Sequence, residues 1–145
     1  MDWKQEAINK LKDLEVKKQA LRSIPLERER LRCALEGIRA SGVDGAPVRG
    51  STTRREDRLL GCIVKLQELE NTEKQAKLWV KTVSGALDAL TDEERLLLDR
   101  LYVLPVKNGV NQLCEELMVE KSAVYYRRDK ALRRFTLAMY GAPES

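Results

Sequence analysis

Apolar residues spaced alternately three and four apart from Leu59 to Leu90 constrain this chain more than any other feature. Leu59, Cys62, Leu66, Leu69, Glu73, Ala76, Val80, Val83, Leu87 and Leu90 follow that spacing; only Glu73 is polar, and most residues between are charged. A seam sustained over this length predicts one long helix with a single apolar stripe. At 1.5 Å per residue it makes a rod of about 48 Å. Ser51 or Thr53 is placed to cap its start, and Glu56 and Asp57 favour the positive end of the helix.

Such a stripe needs a partner, and the first 38 residues offer one. Ile8, Leu11, Leu14 and Leu21 follow the same spacing, interrupted by Lys18. Ile24, Leu31, Leu35 and Ile38 continue it in a shifted phase, with Pro25 at the change and Ser23 just before it. Proline removes a helical hydrogen bond, so a kink or a break into a second helix is expected there. Residues 39–53 are rich in glycine and small polar residues and read as a flexible connection. Two packings satisfy the stripes: residues 2–38 against 54–90 as an antiparallel hairpin, or pairing with a second copy in a coiled-coil homodimer. The spacing permits either.

Composition narrows the class. Charged residues make up 34% of the chain and aromatics 5%, which favours an all-α fold over a sandwich or barrel. The absence of histidine removes His general-base catalysis and most zinc sites. No nucleophile–base constellation, glycine-rich phosphate loop or metal-ligand spacing is visible, so no enzyme activity, cofactor or metal is expected. Cys33, Cys62 and Cys114 stand far apart and read as small packing residues of a reducing compartment. No segment has the apolar length of a membrane span or a signal peptide; a soluble, cytoplasmic protein without membrane contact is expected.

The last third carries the chemistry. Residues 91–120 hold seven acids and three bases, whereas residues 121–134 hold six bases and Asp129 alone. Residues 39–55 form a second basic cluster through Arg39, Arg49, Arg54 and Arg55. Thr91-Asp92-Glu93-Glu94 reads as a capping box before Leu96, Leu97, Leu98 and Leu101. Pro105 and Asn108-Gly109 turn the chain, and Asn111–Leu117 reads as a short amphipathic helix. A tight turn through Met118 and Val119 then leads to a helix with Val124, Ala131, Leu132 and Phe135 inward. Three helices with about four residues between the last two is the helix-turn-helix plan. The chain thus divides into residues 1–90, a helical hairpin or coiled coil, and residues 91–140, a trihelical unit.

The run from Leu90 to Phe135 resembles region 4 of sigma factors and their phage relatives. Leu113-Cys114, Leu117 and Val119 take the places of the first helix and turn; Ser122, Val124, Tyr125 and Arg127 take those of the recognition helix. Met118 stands where glycine is usual, and Arg128 where an apolar residue is usual. Over nearly its full length the chain is similar to small helical ArpU-like or RinA-like transcriptional regulators of Firmicute phages and prophages. The resemblance implies phage gene regulation in a bacterial host, at the nucleoid, with a sigma-like DNA-binding end. The N-terminal helices serve hairpin stability or dimerisation, or bind RNA polymerase or another phage factor.

In a recognition helix the exposed face meets base edges and its flanks meet phosphates. Lys121, Ser122 and Tyr126 are the candidates for base edges of double-stranded DNA. Arg127, Lys130, Arg133 and Arg134 are the candidates for phosphates. Tyr125 is placed equally well for burial or exposure. The competing readings are a coiled-coil adaptor whose basic helix meets an acidic protein, and a small DNA-packaging (terminase) subunit that forms a ring.

Overall fold

A computed structural model describes residues 2–41 and 51–141. Its elements are α1 (Trp3–Ser41), α2 (Ser51–Asp88), α3 (Asp92–Leu98), a π-helical turn (Asp99–Val103), α4 (Gly109–Leu117) and α5 (Lys121–Met139). The protein is all-α, and no strand occurs among the described residues. Among them, too, no helix is long and apolar enough to cross a membrane.

Two expectations about the first half change. The connection is shorter than 39–53, because α1 runs to Ser41 and α2 begins at Ser51. Arg39, Arg54 and Arg55 are therefore helical; Arg49, most of the expected flexible connection, and the side chains of Ser51 and Thr53 lie outside the described residues. Arg55 donates from Nε to the Ile38 carbonyl at 3.2 Å and from Nη2 to the Arg39 carbonyl at 3.3 Å. These bonds occupy carbonyls that the last turn of α1 leaves without helical donors.

The second change concerns Pro25. Helix α1 continues through it, so of the kink or break expected there, the break into a second helix does not occur. The Ser23 hydroxyl donates to the Gln19 carbonyl at 3.1 Å within the helix. Proline forfeits a hydrogen bond, but Ile24, Leu35 and Ile38 on its two sides are buried, and their burial holds both halves to one helix.

Close contacts group the chain into two units, residues 19–77 and residues 1–18 with 78–145. In the first, α1 and α2 run antiparallel, with Arg55 beside Ile38 and Arg28 beside Glu73. The α2 seam points inward as its spacing requires: Ala76 is buried, and Leu59, Cys62, Leu66 and Leu69 are half-buried. Glu73, the single polar member of that seam, forms an ion pair with Arg28 and a second with Lys77 at 3.5 Å. The Glu73 carboxylate keeps only 14% of its side-chain exposure. Removing one partner strands the other, so Glu73→Ala is expected to destabilise this unit by about 3 kcal/mol. Replacing both Arg28 and Glu73 with leucine is expected to leave stability equal or higher. Urea unfolding of the two variants followed by circular dichroism separates the cost of stranding one partner from the net contribution of the pair.

In the second unit one core joins the chain's beginning to its end. Ala7, Leu11 and Leu14 of α1, Val83, Ala86 and Leu87 of α2, Leu90, Leu98 and Val103, and Ala131, Leu132 and Phe135 of α5 bury together. The contact boundary thus falls inside the long helices rather than near residue 90, because Leu87 and Leu90 are buried in the same cluster as Leu132 and Phe135. A smaller cluster of Leu97, Leu113 and Val124 joins α3, α4 and α5. The π turn serves both clusters. Its wider spacing, marked by Leu104 N–H donating to the Asp99 carbonyl at 2.9 Å, brings Leu98 and Val103 to the same buried side.

Candidate nucleic-acid interface

The capping box that opens α3 is complete. Thr91 is extended (ψ 161°) and its hydroxyl accepts from the Glu94 amide at 3.2 Å, while Glu94 Oε1 accepts from the Thr91 amide at 3.1 Å. Two otherwise idle backbone donors are satisfied, which fixes where α3 starts and where its first-turn acids point.

Helix α4 is pinned at both ends. Asn108 adopts the left-handed conformation (φ 56°) just before it. A Cβ on Gly109 would stand 3.2 Å from the Arg100 carbonyl, so only glycine fits this approach comfortably. Arg100 then donates to Glu116 at 2.8 Å. At the far end Met118 takes the left-handed conformation (φ 57°, ψ 47°) that glycine normally supplies, and the Val119 amide donates to the Cys114 carbonyl at 3.1 Å. Met118 is 88% exposed, so its side chain gains nothing from packing that would offset the steric cost. Met118→Gly is expected to stabilise the protein by about 0.5–1 kcal/mol, read as a higher denaturant midpoint with unchanged m-value.

Helix α5 turns Val124, Ala131, Leu132 and Phe135 inward. Ser122, Tyr126, Lys130 and Arg133 consequently share the outward face and are exposed, and Lys121 is exposed at its start. Tyr126 is 72% exposed. Among the described residues Lys121, Lys130 and Arg133 form no ion pair. The structure brings these five expected residues to one accessible surface.

The other two candidates sit differently. Arg127 and Arg134 lie on the flank of α5 that faces the first turn of α3. Arg127 Nη1 is 2.5 Å from Glu93 Oε1, and Arg134 Nη1 is 3.0 Å from Glu94 Oε1. These four side chains and Lys130 line a groove of about 250 Å³ between the helices. Arg127 and Arg134 are thus engaged within the protein.

The opposite flank is also occupied. Arg128, whose place in the pattern is usually apolar, avoids the core by lying 5.0 Å from the centre of the Tyr125 ring and donating to Asp129 at 2.9 Å. Tyr125 is exposed on that flank rather than buried. Lys4, near the start of α1, donates to Asp129 at 3.2 Å. Burial pushes the Asp129 carboxyl upward, but the Arg128 and Lys4 donors outweigh it and hold it below the usual carboxylate range. A depressed carboxylate contributes stability above its unfolded value near 4 and loses it as pH falls through the lower folded value. Asp129→Asn is expected to lower stability at pH 7 by under about 1 kcal/mol because the pair is solvent-screened, with the difference from the parent lost as pH falls through the lowered folded value into the acid range. Thermal melts of both proteins across that range read it directly.

Comparison with protein-family models, curated proteins and solved structures finds no match to this chain.

Sequence reasoning missed Glu93, Glu94 and Lys4 as neighbours of the basic helix. The capping box placed the two glutamates on the first turn of α3. That this turn abuts residues 127 and 134 is a tertiary fact with no local signal.

Proposed function

We propose that this protein is a DNA-binding transcription regulator that lays the outward face of α5 in the major groove. The observation that carries the reading is the exposed surface of Lys121, Ser122, Tyr126, Lys130 and Arg133 on a helix that follows α4 through a tight turn. A helix presented this way offers hydrogen-bonding side chains to base edges and cations to phosphates. Ser122 and Tyr126, with Lys121 at the helix start, address bases; Lys130 and Arg133 address phosphates. The sequence resemblance to phage regulators supports phage or prophage promoters as the setting; RNA polymerase is a further partner proposed for the N-terminal helices.

The test is chromatin immunoprecipitation and sequencing of the tagged protein in a bacterial host carrying the parent element. A few sharp peaks upstream of genes support the regulator and supply its binding site. Peaks only where polymerase is bound point to a polymerase-held accessory. A flat profile overturns the reading and leaves α5 as a surface for an acidic protein.

A further inference from the structure

We propose that Glu93 is a specificity-determining residue that withholds Arg127 from the phosphate backbone; the inference rests on the DNA-binding reading. The 2.5 Å pair joins the second residue of α3 to the inner flank of α5, with both side chains about half-exposed. A second pair, Glu94 with Arg134, repeats the arrangement two turns along α5. Lys130, on the same groove, forms no ion pair among the described residues. The basic helix therefore presents fewer available cations than its sequence contains.

Phosphate contacts supply essentially all sequence-independent affinity, whereas base contacts discriminate. A phosphate reaching Arg127 must displace the Glu93 carboxylate from it. That competition weakens binding to every duplex, while Ser122 and Tyr126 on the outward face stay available to read bases. The protein gives up general affinity and gains a larger ratio between its site and the rest of the genome. Glu93 lies on the exposed surface, and Gln keeps its size, so Glu93→Gln changes the charge without opening a cavity.

The experiment is fluorescence anisotropy with a labelled random-sequence duplex of about two helical turns, across a salt series, on the full chain and E93Q, R127A and E93Q/R127A. Circular dichroism confirms that all four are helical. E93Q is expected to bind about three- to tenfold more tightly at 0.1 M salt, with a log–log salt slope steeper by about 0.9, the increment for one additional phosphate. In the R127A background, adding E93Q is expected to change affinity less than twofold and the slope not at all. An equal gain in both backgrounds overturns the proposal, because Glu93 would then only repel DNA. No gain from E93Q also overturns it while leaving the regulator intact. Absence of duplex binding by all four proteins overturns both readings.

Discussion

Lys130→Ala together with Arg133→Ala is expected to weaken duplex binding about a hundredfold at 0.1 M salt and to flatten the log–log salt slope by about 1.8. Each phosphate neutralised by a cation releases counterions worth a slope of about 0.9, which is roughly a tenfold affinity contribution per contact at that salt. Both side chains project from the outward face of α5 and form no ion pair among the described residues. Both are exposed, so the double substitution leaves the core untouched and the melting temperature close to that of the parent. Anisotropy titrations at four salt concentrations measure slope and affinity together. An unchanged slope would remove α5 from the interface. Ser122→Ala and Tyr126→Ala are expected to behave differently, lowering the preference for the cognate site while moving the salt slope little, since base contacts carry sequence information and phosphate contacts do not.

Phe135→Ala is expected to cost about 3–5 kcal/mol, a large part of the stability of an ordinary small domain. Phe135 is fully buried, in the cluster that also holds Leu11, Leu87 and Leu132. Truncation removes its transfer free energy and leaves a cavity lined by residues from α1, α2 and α5. The consequence reaches beyond α5. A fragment beginning at Thr91 would expose Ala131, Leu132 and Phe135, whose covering residues in α1 and α2 it lacks, and is expected to be unfolded or only partly helical. Leu11→Ala, far from α5 in sequence, is expected to lower the same unfolding transition by about 2–5 kcal/mol. Urea unfolding of the three proteins, followed by circular dichroism, gives these values. A fragment that folds cooperatively alone would show that the shared core is dispensable.

The connection between these predictions is the position of α5 between two demands. Its inner stripe completes a core with the first and last turns of the long helices, and its outer face carries the candidate interface. A substitution is therefore sorted by helical phase rather than by distance along the chain. Positions 124, 131, 132 and 135 are buried and govern folding, whereas 122, 126, 130 and 133 are exposed and form the face proposed to meet DNA.

Local spacing determined much of this. The seam from Leu59 to Leu90 specified a long helix and which side of it is covered, because a 3.6-residue period and apolar residues that avoid water leave few alternatives. Thr91 and Glu94 specified the start of α3, since a capping box is a reciprocal hydrogen bond within four residues. Inward positions at Leu113, Val124, Ala131, Leu132 and Phe135 were legible for the same reason. The outward basic face of α5 followed from them.

Only the tertiary structure decided the rest. Pro25 reads locally as a kink or a break, yet buried Ile24, Leu35 and Ile38 keep α1 continuous. Met118 sits where the backbone calls for glycine and takes the left-handed conformation anyway, because the clusters on either side of the turn fix the helices it joins. Arg127 and Arg134 belong to the same basic run as Lys130 and Arg133, but the first turn of α3 supplies them with Glu93 and Glu94. Periodicity is a property of neighbours in sequence, so it reveals which face of a helix is apolar. Which charge meets which across the fold depends on how helices from distant parts of the chain come together, and that is set by the packing of the shared core.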